Sequence, residues 1–455
     1  MNTVTDVPEA PGGLPFLGHS FPLLRAPLPF LRSLASYGPL VQIRVGPFRA
    51  VVISSPSVTR ELLVDDRTFD KASPLIDRLK DVLGDGLATC PHQRHRRPRR
   101  MLQPAFHPSR IPTYARTMSE QIESVVGGWQ DGGVLDVLHE MQTVTTRITL
   151  ATMFSTSLTP EITGPAAQDI NVVLDSMYRR LILPQWAQRL PLPGNRRHRL
   201  ADERLHATIM GVLNERRTSE TEHDDLLSML LAARDLEGDG HAFSDAELAD
   251  HALTFYFAGI ETAAVTLSWA LSLLSQHPDV AARLHAEVDD VLAGRTPQYD
   301  DLPALPFTRA VLDETLRLYP PAWFLSRFTT KDTRLGDHTI TAGTNIACFP
   351  YLVHHDAETF PEPERFDPDR WTAGSTVPRE SFIPFGSGAR KCIGDRFAVT
   401  ETTLALAGMV AGWDFRPVAG SSSSPRIGAT LRPRNLRMRT TRRALSLSPS
   451  SSAQS

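Results

Sequence analysis

The spacing of apolar and polar residues divides the chain into an extended beginning, a long helical part and a strand-rich end. Residues 8–19 are rich in proline and glycine and predict an extended segment. Residues 40–45 and 50–54 flank a Gly-Pro turn and predict a β-hairpin. From about residue 57 to 290 the apolar spacing is mostly helical, with a proline-rich break at 184–195.

The longest helical pattern begins with a capping signal. Ser244 and Glu247 match the S-x-x-E capping box, and the pattern runs until Pro278 ends it. Roughly 33 residues at about 1.5 Å each give a rod of about 50 Å. Residues 253–274 are nearly all apolar, so a membrane span is the alternative, but Glu261 lies inside that stretch. The pattern therefore favours a helix that crosses the core of the protein.

After residue 320 the helical pattern is replaced by short segments of the kind that form strands. A last helix is expected from about 393 to 410, followed by a strand pair near 427–439. The sequence thus predicts a mainly α protein with small β-sheets, in the α+β class. The expected divisions are an extended N-terminal segment (1–20), one large domain (21–440) and a disordered, low-complexity tail (441–455).

Composition narrows the function classes. The 48 basic and 51 acidic residues nearly balance, which argues against a protein built to coat nucleic acid. The 41% of hydrophobic residues is enough for a large core. Three cysteines, Cys90, Cys348 and Cys392, form no disulfide framework, which fits a reducing compartment. The N-terminus lacks an apolar anchor or a signal peptide pattern, so we expect a cytoplasmic protein.

The strongest chemical signal is a glycine-rich loop that ends in a cysteine, Phe385-Gly-Ser-Gly-Ala-Arg-Lys-Cys392-Ile-Gly394. Cys392 precedes a predicted helix, whose N–H groups and dipole can stabilise a thiolate. The glycines permit tight turns and the close approach of a flat macrocycle. A buried structural cysteine is the alternative. Zinc is disfavoured because no second cysteine follows at C-x-x-C spacing.

This loop resembles the F-x-x-G-x-R-x-C-x-G signature of the cytochrome P450 family. The resemblance implies the fold of that family, with the long helix lying over a haem b whose axial iron ligand is the Cys392 thiolate. It also implies that Phe385 and Gly386 contact the haem. The matching positions are Phe385, Gly388, Arg390, Cys392 and Gly394.

Two further strings resemble the structural network of the family. Glu314 and Arg317 match E-x-x-R, and residues three apart share a helix face. Arg365 lies in a P-E-R-F string, which is the third member of the family pattern. The resemblance implies that Glu314, Arg317 and Arg365 form a buried ionic network that fixes the haem loop.

On the long helix, Ala-Gly-Ile-Glu261-Thr262-Ala263 resembles the A-G-x-[DE]-T-[TS] element of the family. The resemblance implies that Thr262 and Glu261 are the catalytic pair, which makes room for O2 and relays protons. Ala263 departs from the pattern, because the family usually has a hydroxyl residue there. A packing notch with a threonine bonded back to a carbonyl is the alternative.

An arginine-rich segment upstream resembles the propionate-binding helix of the family. His95 and Arg99 are four residues apart and share one helix face. Pro98 lies between them and predicts a kink or a first turn. Arg390 and Arg327 are further expected propionate partners, with a basic surface patch or a surface arginine as the alternatives.

The implied reaction is a monooxygenation that uses O2 and electrons from NAD(P)H. No flavin or iron–sulfur motif is present, so we expect a separate ferredoxin and an NAD(P)H-dependent reductase as partners of a monomeric enzyme. A positive face is expected to dock the ferredoxin. Its residues would be Arg96, Arg97, Arg100 and Lys391.

The substrate is expected to be small and hydrophobic. No charged anchor stands out in the expected pocket stretches, which include 74–83 and 177–186. Several strings resemble actinobacterial sesquiterpene oxidases, which favours a sesquiterpene of the pentalenene type, possible successive oxidations, and a role in antibiotic biosynthesis. A fatty-acid hydroxylase and a haem-thiolate sensor remain alternatives. The expected pocket residues are Phe255, Phe257, Ala258, Trp323, Phe324 and Leu325.

Overall fold

The computed structural model describes the chain from residue 7 to 444 with gaps. The expected pocket stretches 74–83 and 177–186 lie largely outside the described residues, as does the tail from residue 445. The described part is mainly helical with small sheets, which confirms the predicted fold class. The gaps are at 72, 74–75, 78, 81–83, 155–164, 166–167, 170–171, 174–175, 177–179, 181–184, 219–224, 236, 239, 373 and 375–376.

The helices of the described part are numbered here in chain order. They are α1 (Ser20–Arg25), α2 (Pro27–Leu34), α3 (Pro56–Val64), α4 (His92–Leu102), α5 (Ile111–Val126), α6 (Val137–Phe154), α7 (Gln185–Arg189), α8 (Pro193–Thr218), α9 (Leu226–Ala232), α10 (Asp245–Gln276), α11 (Pro278–Leu292), α12 (Pro306–Leu318), α13 (Pro350–His354) and α14 (Asp395–Gly412).

The strands form four small sheets. The largest has the order β1-β2-β8-β5-β3, and only its β2–β8 pair is parallel. The others have the orders β4-β12-β9, β10-β11 and β6-β7. The strands are β1 (Leu40–Val45), β2 (Phe48–Ile53), β3 (Phe69–Asp70), β4 (Val134–Asp136), β5 (Leu325–Thr329), β6 (Thr333–Leu335), β7 (His338–Ile340), β8 (Asn345–Cys348), β9 (Trp413–Pro417), β10 (Pro425–Ile427), β11 (Leu431–Pro433) and β12 (Arg437–Arg442).

The long helix α10 organises the core. Its predicted capping box is present, since the Ser244 hydroxyl accepts from the N–H of Glu247 and the Glu247 carboxylate accepts from the N–H of Ser244. The helix packs against α6, α8, α12 and α14. It is long and apolar enough to cross a membrane, but 83% of its most apolar stretch is buried inside the protein. It therefore acts as a core helix, as the sequence predicts.

Two predicted boundaries differ from the structure. The second hairpin strand begins at Phe48 rather than at residue 50, because Gly46 adopts a positive φ of 57° and makes a two-residue turn that pairs Val45 with Phe48. The last strand continues to Arg442, two residues into the expected tail, because Arg442 pairs with Trp413 of β9. Both corrections follow from strand pairing, which the local apolar pattern does not specify.

Candidate active site

A cavity of about 390 Å³ lies between α10 and the segment that leads into α14. Its roof includes Phe255, Ala258, Gly259 and Thr262 of α10. The loop that ends at Cys392 and the first turns of α14 line it from the other side. The cavity thus brings together two sequence elements that are about 130 residues apart.

Backbone geometry turns the loop toward the cavity. Gly386 and Gly388 have positive φ angles of 70° and 69°, a region that favours glycine. A side chain at Gly388 would place its Cβ 2.2 Å from the carbonyl oxygen of Leu63, so only glycine fits there. The N–H of Cys392 donates to the carbonyl of Phe385 at 2.9 Å and closes the loop. Local sequence therefore fixes where the cysteine points.

Cys392 lies in the cavity wall with an accessible side chain, whereas Cys90 and Cys348 are buried. Burial of its surroundings raises the pKa of the Cys392 thiol, and the N–H of Gly394 and the Arg99 guanidinium lower it. A metal ion that binds the sulfur replaces the proton, so this arrangement suits a thiolate that is stabilised by a cation. Of the three cysteines, only Cys392 reaches the cavity.

Several cationic side chains line the same cavity. Arg327 is 3% exposed; its one hydrogen bond goes to the carbonyl of Ser326, and its Nε has no partner among the described residues. Burial lowers the pKa of Arg327 to about 10. Burial, together with Arg327 and Arg390, lowers the pKa of Lys71 to about 7. Buried cations that lack carboxylate partners destabilise each other, so the cavity is suited to an anionic group.

The expected propionate partners differ in their surroundings. Arg390 lies between Asp66 and Asp70, each at 3.3 Å, and its side chain is almost fully buried. Its charge is therefore balanced within the protein. Arg99 lines the cavity and donates to the carbonyl of Lys391. His95 is buried beside them, and burial, Arg390 and Lys71 lower its pKa to about 3.

This donor set fits a haem. Mostly apolar walls, a loop turned by glycines with one thiol, and cationic side chains without carboxylate partners match a macrocycle with a metal ligand and two carboxylates. Pro98 lies inside α4 and does not prevent His95 and Arg99 from reaching the cavity. Lys71 is a residue that the sequence interpretation missed. The only feature of the sequence that sets Lys71 apart is that it is one of four lysines in an arginine-rich chain.

The two residues of the expected catalytic pair point in different directions. The Thr262 hydroxyl lines the cavity and donates to the carbonyl of Ala258 at 2.7 Å. Glu261 is 3% exposed and does not line the cavity. Its carboxylate accepts from Gln142 of α6 and from the Thr430 hydroxyl, each at 2.8 Å. Gln142 and Thr430 were missed, because their contact with Glu261 joins distant parts of the chain.

The ionic network is present in part. Arg317 and Glu314 are fully buried and form two hydrogen bonds of 2.8 Å. Arg317 also donates to the carbonyls of His354, Pro363 and Arg365. Together these contacts join α12 to the segment before the cysteine loop.

The expected side-chain role of Arg365 is wrong. Its guanidinium is exposed and pairs with Glu362 at 3.0 Å, and only its backbone carbonyl contacts Arg317. Two other residues contact the Glu314 carboxylate instead of the Arg365 side chain. The Trp371 ring N–H donates to it at 2.8 Å, and the Arg370 guanidinium lies 3.4 Å from it. The local string matches the family pattern, but the chain turns so that the following residues reach Glu314.

Half of the expected pocket residues line the cavity. Phe255, Ala258 and Leu325 do so. Phe257 does not: it is buried in the core on another side of α10, since residues two apart lie on different faces of a helix. Trp323 and Phe324 were also placed wrongly. They pack against Phe349, with ring centroids 5.7 and 5.2 Å apart, and so lie outside the cavity.

A further buried acid lines the cavity. Glu401 of α14 is 1% exposed, and neither carboxyl oxygen has a hydrogen-bond partner among the described residues. Burial raises the pKa of Glu401 well above its usual range. Burial therefore favours the neutral form of this side chain. Local sequence does not reveal its burial, because a single glutamate in a helix is usually exposed.

Ion pairs lower the positive charge of the expected docking face. Arg97 donates to Glu247 at 2.8 Å, and Arg100 pairs with Asp235. Lys391 pairs with Asp395. These pairs neutralise three of the four expected cations. The acids that pair with Arg97 and Arg100 come from distant segments, whereas the acid that pairs with Lys391 lies four residues further along the chain. Arg96 remains in an open groove beside α4.

The comparisons with known proteins agree with this geometry. Residues 8–437 match the family model described as cytochrome P450. The chain is 42% identical to pentalenene oxygenase of Streptomyces avermitilis, over 95% of this chain and 97% of that protein. It is also 42% identical to cyclooctat-9-en-7-ol 5-monooxygenase of Streptomyces melanosporofaciens, over 91% and 90% of the two chains. The crystal structure of the cytochrome P450DA haem domain matches with a TM-score of 0.87 and 26% identity, over 97% of this chain and 99% of that one.

Family, fold and cavity lead to the same conclusion. The match covers nearly the whole chain, and the resemblance noted from the cysteine loop is thereby confirmed. Enzymes of this kind use a haem-thiolate iron, a small-molecule substrate, O2 and electrons from redox partners. The chain therefore belongs to the cytochrome P450 family and is a cytochrome P450 monooxygenase.

Proposed function

We propose that the protein oxidises a terpenoid hydrocarbon or alcohol at an unactivated C–H bond, with haem b held by the Cys392 thiolate. The observation that supports this most strongly is the common cavity of Cys392 and Thr262. The Cys392 thiol, on the loop side of the cavity, is a metal ligand, and the Thr262 hydroxyl lies on the opposite side, on α10. The haem iron, when bound, supplies the binding and activation of O2. The remaining roles belong to the side chains of the chain.

Hydrogen-bond donors hold the haem carboxylates in this proposal. Arg99 and Arg327 bind propionates as cations, neutral His95 binds one through its ring N–H, and Lys71 is an additional donor. Arg390, although balanced by Asp66 and Asp70, is a candidate because the residue is part of the cavity wall. Phe385 and Gly386 lie in the cavity wall and pack against the macrocycle.

Glu261 and Thr262 deliver protons. Consecutive residues are about 100° apart around a helix, so the carboxylate and the hydroxyl face different sides of α10. Gln142 and Thr430 hold the carboxylate in one orientation. A proton reaches the cavity when Glu261 rotates or when water bridges it to Thr262. The Thr262 hydroxyl would then present the proton inside the cavity.

The cavity lining supports a hydrophobic substrate. Phe255, Ala258 and Leu325 line it together with Leu87 and Met153. Relatives of the chain are named for pentalenene and for cyclooctat-9-en-7-ol. We infer a substrate of the same class, with a sesquiterpene of the pentalenene type as the first candidate, successive oxidations at one carbon, and a place in antibiotic biosynthesis.

Electrons come from separate proteins in this account. A ferredoxin and an NAD(P)H-dependent reductase supply them in the cytoplasm to a monomeric enzyme. Arg96 lies in the groove beside α4 and contributes to the docking face. Arg97, Arg100 and Lys391 contribute less, because their charges are paired.

A substrate-binding titration tests the proposal. Purified holoprotein is titrated with pentalenene, with other terpenes and with a fatty-acid panel, and the haem Soret band is followed. A terpene that displaces the iron-bound water shifts the band to shorter wavelength and is then oxidised when a ferredoxin and its reductase are supplied. A shift and a turnover with fatty acids alone would favour the fatty-acid hydroxylase instead.

A further inference from the structure

Exposed apolar side chains are concentrated near the start of the chain. Thirteen large apolar side chains are widely exposed in the described residues, and eight of them lie between residues 14 and 48. Five of these form a surface that we call the N-terminal apolar surface. Its members are Leu14, Phe16, Leu17, Phe21 and Leu24, which are 44%, 93%, 55%, 54% and 71% exposed.

Backbone hydrogen bonds hold this surface together. Leu14 and Gly18 bond to each other at 2.8 and 2.9 Å, and the carbonyl of Leu17 accepts from Gly46 in the β1–β2 turn at 3.1 Å. The turn from Leu14 to Gly18 therefore lies beside the tip of the hairpin. The surface is thus built on a fixed scaffold rather than on a loose end.

Phe16 combines a strained backbone with an exposed side chain. It has a φ of 61°, in the left-handed region that phenylalanine rarely adopts. At the same time its ring is 93% exposed. Because the aromatic side chain lies in solvent, packing within this chain does not offset the free-energy cost of the strained backbone. Such strain is typical of residues that act on something outside the fold.

Helix α1 completes the surface. Its sequence is Ser-Phe-Pro-Leu-Leu-Arg, and none of its six residues is buried. Phe21 and Leu24 are three residues apart and therefore share a helix face. An apolar face that the protein leaves in water marks a site of interaction with a partner or a membrane.

The surrounding charge is positive. Residues 7–53 contain four arginines and one glutamate, whereas the whole chain has a net charge of −3. Arg32 pairs with Glu364. Arg25, Arg44 and Arg49 form no ion pair with the described residues, and the only hydrogen bond of the Arg44 side chain within that part of the chain is the one that it donates to the carbonyl of Leu14 at 3.0 Å. Unpaired guanidinium groups beside exposed apolar side chains match the anionic headgroups of a lipid bilayer.

We propose that the N-terminal apolar surface inserts into an anionic membrane, so that the enzyme is a peripheral membrane protein. The side chains protrude from a turn and a short helix, a convex shape that fits a fluid lipid layer. A second copy of the chain fits less well, because a symmetric contact pairs the surface with itself and brings the arginines together. This proposal stands independently of the substrate.

Vesicle flotation tests the proposal with the full-length holoprotein. Vesicles of equal parts phosphatidylcholine and phosphatidylglycerol are compared with vesicles of phosphatidylcholine alone. We expect binding to the anionic vesicles that weakens with salt, since screening reduces headgroup attraction. The double variant Phe16→Ser/Leu24→Ser is expected to bind at least about tenfold more weakly, from the loss of two buried apolar side chains. Arg25→Gln/Arg49→Gln is expected to lose the preference for anionic lipid.

A matched control uses exposed apolar residues elsewhere. Val64 and Leu200 are 56% and 38% exposed and lie outside the surface, so Val64→Ser/Leu200→Ser is expected to float like the wild type. An unchanged haem spectrum and melting temperature identify variants that are folded. Absence of flotation at low salt overturns the proposal, as does equal flotation of the Phe16→Ser/Leu24→Ser variant. A dimer in sedimentation that these two substitutions abolish, without vesicle binding, would assign the surface to a second copy instead.

Discussion

The carboxylate of Glu261 and the hydroxyl of Thr430 lie 2.8 Å apart, on the side of α10 that faces away from the cavity. Gln142 donates to the other carboxylate oxygen at the same distance, and Arg432 lies 3.9 Å away. The carboxyl group of this buried acid is thus held in place by groups from two distant elements, α6 and the segment at β11. The adjacent Thr262 faces the cavity. In the proton path that we propose, Glu261 is therefore positioned by residues that do not line the cavity.

Loss of the Thr430 hydroxyl is expected to slow proton delivery. Thr430→Val removes one of two hydrogen bonds to a buried carboxylate, a change of about 1.5–3 kcal/mol for a charged group. We expect turnover to fall roughly tenfold, the equivalent of about 1.4 kcal/mol. The solvent isotope effect on turnover should rise, because proton transfer becomes rate-limiting. Thr430→Ser keeps the hydroxyl and should retain both values. A Thr430→Val enzyme with the wild-type rate and isotope effect would remove Thr430 from the proton path.

Thr262→Ala is expected to divert electrons from product to peroxide. The substitution removes the only hydroxyl that the Glu261-Thr262 pair presents to the cavity. The ratio of product to NAD(P)H consumed should therefore fall several-fold or more, since proton transfer by a positioned side chain contributes up to about 10²–10⁴-fold to a rate. Thr266 also lines the cavity and donates to the carbonyl of Thr262, so Thr266→Ala serves as a control for a lost hydroxyl. Equal coupling in Thr262→Ala and in the wild type would contradict the assignment.

Arg317 and Arg365 are expected to behave differently although both belong to the family pattern. Arg317→Ala leaves the buried Glu314 carboxylate without its main partner, a change of about 3–5 kcal/mol. The expected result is a protein that loses haem and melts at a much lower temperature. Arg365→Ala removes an exposed side chain and should leave haem content and melting temperature unchanged. Comparable damage from the two substitutions would contradict the observed network.

Glu401 is expected to make stability depend on pH. In the unfolded chain a glutamate ionises above about pH 4.3, whereas burial keeps Glu401 protonated in the folded protein by raising its pKa well above the usual range. The folded state therefore holds more protons above that pH, and the free energy of unfolding falls as pH rises.

The variant Glu401→Gln removes this dependence. Its free energy of unfolding relative to wild type should rise between pH 5 and pH 8, with a limiting slope of about 1.4 kcal/mol per pH unit, and its melting temperature relative to wild type should rise with it. Glu120→Gln, at an exposed position of α5, should show no such trend. A constant difference between Glu401→Gln and wild type across this pH range would show that Glu401 is ionised in the folded protein.

Local patterns predicted much of the fold and part of the site. The capping box at Ser244, the apolar run of α10 and the glycine loop before Cys392 are encoded by neighbouring residues, and all three are found in the structure. Thr262 and Arg99 also reach the cavity, because their helix faces follow from the spacing of residues along the chain.

What the sequence failed to predict depends on contacts between distant segments. Arg365 matches its string but turns outward, and Arg97 is paired with an acid 150 residues away. Glu401 could not be recognised as buried, because the residues that cover it come from other elements. Trp323 belongs to a separate aromatic cluster with Phe349. Side-chain partners of this kind become visible only when the elements are packed together.

The most direct test of the central claim is the difference spectrum of the reduced, CO-bound protein. We expect a Soret band far to the red, as thiolate ligation of haem iron produces, in the wild type and in Cys90→Ser and Cys348→Ser. We expect Cys392→His to lose that band while it still binds haem. A wild-type protein that binds haem without the red-shifted band, or a Cys392→His variant that retains it, would contradict the assignment of Cys392 as the axial ligand.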